Sequence, residues 1–511
     1  MIYLSRSASL LALLSTARLA TAQSVIAHYM AQQLYDYKEA DITKDMQDAK
    51  AIGIEAFAMN IAAMDYEVDK IKMAYPIAEQ LGFQLLYSFD TSYDWQAGDI
   101  VSLVAATANS SATYKWNGRP VISSFSPSGD PRGEDFWGGI KKALADQGVD
   151  AVLAPGLIKF RDPAKTQEFL DSFPSVEGFF NWWSWPEDKP GNLTTDTDLA
   201  YKAAVATRGG PYIMAVSPWQ FKNINGEAWV ESSDYIWKYR WEQAINEVKP
   251  DIIEIVTWND YGESHYITDV NPVVNLGTDA PHYVTGVDHS AWQIPAKYYI
   301  KWFKSCGAAA TRRARGFGKK RCGQNCDCSA TLAPPASTPP AKPLPVPSSE
   351  PAPVPSSEEP APSPTEAPLP EPTSAPVPSE PAPAPTPAPG SCAAPAIEEE
   401  TIVYWYRQFP KDIECSGGGE VRNKDFVADE IFAYAMLKEP ATIRIDAGAS
   451  SGEFAVAAGT AIVSIPFPDT DETPFFQILR GEEVVKSGHG NMGIRHSGCD
   501  WGNFNPAVGS I

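Results

Sequence analysis

The sequence predicts an α/β chain: a (β/α)8 barrel, then a Pro-rich insertion, then a C-terminal all-β, sandwich-like domain. Three observations carry this reading. Between residues 25 and 304, short and nearly all-apolar runs alternate with amphipathic segments through eight cycles. Such alternation means a parallel sheet covered on its outer face. From 333 to 390, Pro, Ala, Ser and Glu dominate, a composition that cannot bury a core and reads as an extended polyproline-II spacer at ~3.1 Å per residue. After 394 the chain turns to short apolar runs punctuated by Gly, Pro and Asp. Eight repeats fit a closed barrel better than an open doubly wound sheet. No Gly-rich phosphate loop follows the first strand, which disfavours a nucleotide-binding fold.

Residues 1–22 read as a secretory signal. Arg6 supplies the positive end, Ser9 to Ser15 a short Leu-rich core, and Ala20-Thr-Ala22 a small-x-small cleavage site. That core is too short to span a bilayer, and no other stretch approaches ~18 uninterrupted apolar residues. The mature chain is expected to start near Gln23 and to be secreted, extracellular or in the cell wall. Strands are expected at 25–30, 54–61, 83–90, 120–126, 151–155, 176–182, 212–217 and 252–258. Helical marks follow each of them. Asp41 reads as the N-cap of 42–52, which stops at Gly53, and 66–81 stops at Gly82. Further helices are expected at 99–108, at 133–147 and from Asp162-Pro163 to Phe173. The last three are 195–207, 233–248 and 289–304, the final one with a Trp/Tyr-rich face.

The domain layout is therefore a signal peptide at 1–22, a catalytic barrel at 23–305, a disordered linker at 306–393 and a β-sandwich accessory domain at 394–511. The linker is Cys-bearing, basic over 311–321 and then Pro/Ser/Glu-rich. Its basic run is either a solvated charge cluster or a dibasic processing site. Strands of the last domain are expected at 401–406, 431–437, 442–446, 453–456, 460–465, 475–479 and 484–486. Tyr404, Trp405, Tyr406 and Trp501 are either its core or a carbohydrate-stacking face.

A net charge of −22 argues against nucleic acid as a partner and suits a soluble protein acting on a neutral polymer. All seven cysteines lie after position 300, so the barrel must fold on its own core. Cys415 and Cys499 bracket the last domain and are the disulfide candidate; Cys322, Cys326 and Cys328 read as disulfide-forming rather than as a metal knuckle. Asn109-Ser-Ser and Asn192-Leu-Thr are N-glycosylation sequons.

A barrel of this kind keeps its active site at the C-terminal strand ends. The residues there include His28 and Tyr29 on the first strand, Asn60 on the second and Asp90 on the third. Trp182 and Trp183 follow on the sixth, only one of them able to face the mouth. The eighth strand contributes Trp258, Asn259, Asp260, Tyr261 and Glu263. Two carboxylates beyond a buried strand are what acid/base hydrolysis of a sugar linkage needs, with aromatic rings to stack on sugar faces. The alternative is that Asp260 and Glu263 only solvate or cap a loop, and that Asp90 is an N-cap or hydroxyl anchor. With six His and neither an HExxH motif nor a closely spaced pair, no metal and no cofactor are expected.

His28-Tyr-Met, Tyr87-Ser-Phe-Asp90, Phe180-Asn-Trp-Trp-Ser-Trp185 and Thr257-Trp-Asn-Asp-Tyr-Gly-Glu-Ser264 together resemble glycoside hydrolase family 71, the fungal α-1,3-glucanases or mutanases. Thr401-Ile-Val-Tyr-Trp-Tyr-Arg407, Cys415-Ser-Gly-Gly-Gly419 and Asn503-Phe-Asn505 resemble that family's C-terminal β-domain. The resemblance covers about residues 25–305 and 395–511. It implies endo-type hydrolysis of α-1,3-glucan with inversion, with Asp260 and Glu263 as the catalytic pair and Asp90 also implicated. Asp260 is assigned as the base and Glu263 as the general acid, an order that the sequence leaves open. His28, Asn60, Trp183 and Tyr261 would line the sugar subsites, with Tyr29, Trp258 and Asn259 beside them. The partner would be the polysaccharide alone, with no nucleic acid, no membrane span and a monomeric chain.

One departure is the insertion, since in the family the last barrel helix runs almost directly into the β-domain. Here the insertion loops out and returns, or makes the β-domain a tethered module, or reflects a mispredicted exon. Two competing readings are a barrel hydrolase for another glucan linkage and a non-catalytic, glucan-binding wall protein.

Overall fold

The structure is a computed structural model that describes residues 23–317 and 392–511, with backbone alone for 308–317. The expected signal peptide, the end of the basic run, the Pro-rich stretch, and Cys322, Cys326 and Cys328 lie outside the described residues.

The N-terminal part is mixed α/β around one curled sheet. Its strands pair in parallel in the order Arg119–Ser126, Gln84–Asp90, Ala56–Ile61, Ser24–Met30, Ile252–Ile255, Tyr212–Val216, Phe179–Asn181. Two short strands, Val152–Leu153 and Gly156–Leu157, pair with Arg119–Ser126. The ends of this order are bridged as well: Phe180 N donates to Pro155 O at 3.2 Å and Gly178 N to Leu153 O at 2.9 Å. The expected strand at 176–182 is shortened to three residues where the backbone crowds. A Cβ on Gly178 would lie 2.7 Å from Pro211 O. Ala56–Ile61, Tyr212–Val216 and Ile252–Ile255 are buried throughout, because helices cover one face and the sheet's own interior the other.

Side chains alternate between those faces. Ile26, Ala56, Ala58, Leu86, Ile213, Ala215 and Ile252 form an apolar interior. The odd-numbered partners Val25, Ala27, Tyr29, Phe57 and Met59 join the larger cluster that includes helix residues such as Ile42, Met46 and Ala49.

The helices Glu39–Ile52, Asp65–Leu81, Ala97–Thr107, Glu134–Asp146, Thr166–Ser172, Asp196–Ala206, Ile236–Gln243 and Gln293–Phe317 lie between and after the strands. Gly53 at φ 98° ends the first in the left-handed region, where only glycine sits without strain. The N-cap differs from expectation. Lys38 takes that place, and Asp41 sits within the first turn, its carboxylate accepting from Lys38 N at 2.8 Å. The helix expected over 233–248 divides into Ile236–Gln243 and a π-helical turn, Ala244–Val248. A hairpin, Phe221–Ile224 with Glu227–Val230, was not foreseen.

The C-terminal part contains two four-stranded antiparallel sheets. One orders Gly459–Pro466, Glu430–Leu437, Thr401–Tyr406 and Ala507–Ser510. The other orders Ser450–Val456, Ala441–Ala447, Phe475–Arg480 and Glu483–His489. Tyr404 stacks across the gap on Phe476 at 4.6 Å, and Trp405 lies parallel to Phe432 at 5.1 Å. Tyr404, Trp405 and Tyr406 are thus core, not an open stacking face. Trp501 stacks on His282 at 4.4 Å.

These sheets and the α/β part belong to one compact unit. Trp219 Nε1 donates to Phe504 O at 3.0 Å, Asn223 Nδ2 to Gly502 O at 2.8 Å, and the Tyr299 and Tyr434 hydroxyls lie 2.8 Å apart. Among the described residues two disulfides are present, Cys306–Cys392 and Cys415–Cys499. The first, which sequence reading did not pair, joins the helix Gln293–Phe317 to the start of the C-terminal part.

Candidate active site

The strand Ile252–Ile255 delivers the chain to a tightly held loop. The Val256–Thr257 peptide is cis. Asp260 N donates to Thr257 Oγ1 at 2.8 Å, and Glu263 N to Asp260 Oδ1 at 3.1 Å. Gly262 O accepts from the Tyr283 hydroxyl at 2.7 Å, and Glu263 O from Phe221 N at 3.0 Å. Ser264, at φ 59°, then turns the chain away. The backbone of the loop, and with it the Asp260 carboxylate, is therefore held by the protein's own hydrogen bonds.

Three cationic or polar groups face the pair. His265 Nε2 lies 3.2 Å from Glu263 Oε2 and 3.6 Å from Asp260 Oδ2. Lys222 Nζ, from the unforeseen hairpin, is 3.7 Å from Glu263 Oε1. Gln220 Nε2 is 3.5 Å from Glu263 Oε2. The two carboxyls are driven apart in ionisation. Burial raises the pKa of Asp260, and the neighbouring Glu263 charge adds to that against the opposing pull of His265. Burial acts on Glu263 in the same sense, but the hydrogen bond and charge of His265, with Lys222, outweigh it and hold the acid at about 2.

Across the mouth, burial raises Asp90, while bonds from Ser92 partly offset the effect and the Glu263 charge adds to it. An Asp/Glu/His trio can bind a divalent ion, and ligand atoms of Asp260, Glu263 and His265 lie within 4.8 Å of one another. Here the imidazole already pairs with both carboxylates.

Above the apolar interior lies a layer of polar groups. His28 Nδ1 bonds Glu254 Oε1 at 2.7 Å, with both side chains fully buried. His28 Nε2, Glu254 Oε2, Asn60 Oδ1 and Ser88 Oγ have no partner. Buried polar atoms are rarely left unpaired, so these four, on neighbouring strands, are hydrogen-bonding capacity that the protein itself does not use. Trp182 sits 4.9 Å from the His28 ring and 5.1 Å from Phe125. Trp185 is 5.1 Å from His265.

The structure brings together His28, Asn60, Asp90, Asp260 and Glu263, and separates the other expected site residues from them. Tyr29 points outward by strand alternation; its hydroxyl donates to Asp45 at 2.6 Å and its ring stacks on Phe57. Trp258 is fully buried against Phe57. Asn259 bonds both polar atoms of the Met30 backbone, at 2.8 and 3.2 Å. Tyr261 is buried, its hydroxyl donating to Asp269 O at 3.3 Å. These four hold the loop in place and do not reach the cleft. Trp183 lines a separate cavity of about 300 Å³ with Arg161, Asn181, Asp198 and Arg240. Its indole N–H bonds the Glu187 carboxylate under the Arg161 guanidinium. Trp182 takes the place at the mouth.

Sequence reasoning missed Glu254, Lys222 and His265, and of the Trp182/Trp183 alternative it placed Trp183 at the sugar subsites. A lone acid within Ile-Ile-Glu-Ile was the available signal for Glu254. Tyr93, after the third strand, was within reach of that reasoning; its place in a rim of tyrosines with Tyr35 and with Tyr66 of the helix Asp65–Leu81 was not. Tyr35 and Tyr93 are exposed, as is neighbouring Met64, and Tyr35 packs edge-on to Tyr66 at 5.1 Å. The sequon residues Asn109 and Asn192 are both exposed.

Acidic groups gathered at the C-terminal strand ends of a curled parallel sheet are the layout of a hydrolytic cleft. The chain belongs to Glycosyl hydrolase family 71, whose model matches residues 21–345 and 390–511. It is similar to a mutanase of Penicillium rubens, 28% identical over 499 residues, covering 95% of this chain and 88% of that protein. It is also similar to the glucan endo-1,3-alpha-glucosidase agn1 of Schizosaccharomyces pombe, 24% identical over 482 residues, covering 91% and 90%. Among solved structures, a GH99 endo-alpha-mannosidase from Bacteroides thetaiotaomicron aligns at a TM-score of 0.43 and 12% identity, covering 57% of this chain and 99% of that one.

Proposed function

We propose that this protein is a secreted endo-acting glycosidase that cleaves α-1,3-glucosidic bonds of fungal cell-wall glucan. Its catalytic part is read as a (β/α)8 barrel, with the bridge from Phe180 to Pro155 as the closing seam. The two disulfides suit an oxidising compartment, and among the described residues no helix is long and apolar enough to cross a membrane. The observation that carries the reading is the Asp260–Glu263 pair at the C-terminal end of Ile252–Ile255, with His265 3.2 Å and Lys222 3.7 Å from Glu263, in surroundings that raise the pKa of Asp260 and lower that of Glu263. One carboxyl that keeps its proton beside one that has lost it is the requirement for acid/base glycoside hydrolysis.

In the substrate-free site Asp260 is the member of the pair whose surroundings favour the protonated form. Asp260 is then the general acid that protonates the departing glycosidic oxygen, and Glu263 the base that takes a proton from the attacking water. The C1–O bond breaks as a new C1–OH forms, and the order is the reverse of the one first assigned from the sequence. Asp90, His28 and Asn60 would hold sugar hydroxyls, while the tyrosine rim would carry the chain onward. The closest oxygens of the pair lie within 4.8 Å, nearer than the ~6.5–9.5 Å of an inverting pair. Inversion therefore requires the two side chains to part around the sugar.

The test is incubation with insoluble α-1,3-glucan and with β-glucans, following reducing ends and the first anomer by proton NMR. Release from α-1,3-glucan with a β-anomer first is expected, and Asp260→Asn and Glu263→Gln should each lower kcat by about 10²–10⁴-fold. Release only from a β-glucan overturns the linkage. Binding without release favours a wall protein, and an α-anomer first means retention.

A further inference from the structure

The loop that carries Asp260 and Glu263 is clamped at two backbone carbonyls, and both clamps rest on the segment 503–506, which leads into the C-terminal strand Ala507–Ser510. The first clamp is the Tyr283 hydroxyl on Gly262 O, at 2.7 Å. Tyr283 is in turn gripped by Asn505, whose Nδ2 donates to Tyr283 O at 2.9 Å and approaches the Tyr266 hydroxyl at 3.3 Å. Asn505 is buried, and its own backbone N–H is pinned by Asn503 Oδ1 at 2.8 Å. The second clamp is Phe221 N on Glu263 O, at 3.0 Å. Phe221 packs on Phe504 at 5.9 Å and on Tyr283 at 5.1 Å, and Phe504 O accepts from Trp219 Nε1 at 3.0 Å. Pro506 O lies 3.1 Å from His289 Nε2, and that ring stacks on Tyr266 at 4.0 Å. Four consecutive residues, 503 to 506, thus stand behind the loop.

We propose that Asn505 is a positioning residue for the reaction: through Tyr283 and Gly262 it sets where the Asp260 and Glu263 carboxylates sit, so that the C-terminal sheets complete the active site. Asn505 touches no reacting atom. A misplacement of order 1 Å at a reacting centre can lower turnover by about 10²-fold, and Gly262 lies between the two carboxylates in sequence. The inference rests on the reading that Asp260 and Glu263 are catalytic.

The experiment uses the full chain carrying Asn505→Ala, Tyr283→Phe, both together, or Asp260→Asn, on α-1,3-glucan oligosaccharides. Tyr283→Phe removes a single hydroxyl and keeps the ring, so it reads the relay even where Asn505→Ala fails to fold. The expected result is kcat lower by roughly tenfold in each single variant, KM within twofold, and a displaced limb of the pH profile, because the distance between Asp260 and Glu263 and from each to the His265 ring sets the ionisation of the two carboxyls. The double variant should be no worse than the poorer single one, since coupled residues act as a unit. Normal kcat in folded Tyr283→Phe, additive losses, or a loss matched by the unfolded fraction would overturn the relay. Full activity in Asp260→Asn would instead remove the catalytic reading beneath it.

Discussion

Asp45, Glu67 and Asp234 are acids that the fold keeps away from water. Burial raises each of them to about 7, although Asp45 accepts from the Tyr29 hydroxyl, Glu67 from Ala62 N and Asp234 from Ala428 N. Unfolded, such acids titrate near 4. Between about pH 4 and 7 the folded chain therefore holds protons that the unfolded chain has released, and stability falls as pH rises through that window. Glu263, held at about 2, contributes in the opposite sense, and its share is lost only as pH falls below its unfolded value of about 4.3. Thermal melting should peak near pH 4–5 and decline toward pH 7.5, with Asp45→Asn flattening part of the decline. A melting temperature that rises steadily from pH 5 to 7.5 would refute this. At the same scale, Tyr29 shows what alternation could have told: with His28 facing inward, the next residue on a strand must face out.

At the scale of elements, the strands and helices were legible because each has its own period, and their ends because glycine or proline stood there. Asn225-Gly226 is a two-residue hairpin turn, with φ of 57° and 78°, and its signal was in the sequence. Its consequence was not, because the approach of Lys222 to Glu263 depends on how the hairpin folds back. The acid and the base could not be told apart from spacing for the same reason: the difference comes from His265 and Lys222 in three dimensions. The tyrosine rim is drawn from two loops and the first turn of the helix Asp65–Leu81, which share no sequence pattern. Stacking on an exposed ring is worth enough that Tyr35→Ala and Tyr93→Ala should each raise KM for long oligosaccharides by about three- to tenfold while leaving kcat for the shortest cleavable substrate unchanged. Equal KM values across chain lengths would remove the rim from the binding path.

At the scale of the molecule, the α/β part and the C-terminal sheets meet through buried tyrosines, tryptophans and backbone carbonyls, so the sheets are not a loosely tethered module. The sequence could not say this, since a Pro-rich composition does not tell where the chain on either side of it comes together. The Cys306–Cys392 bridge answers that point at a sequence separation of 86. A single protease cut between the two cysteines should leave one band on a non-reducing gel and two after reduction, with hydrolytic activity retained in both conditions. Dissociation and inactivation on reduction would mean that the bridge, rather than the interface, holds the halves together.

The Cα atoms of Cys306 and Cys392 are 5.4 Å apart. The two cysteines thus bring the ends of an 86-residue separation together at one point, so that a longer chain between them would not pull the catalytic loop apart. Doubling the length of a closed loop costs only about 0.6 kcal/mol. The position is in effect a socket, into which a foreign binding module or reporter can be spliced while the cleft keeps its shape.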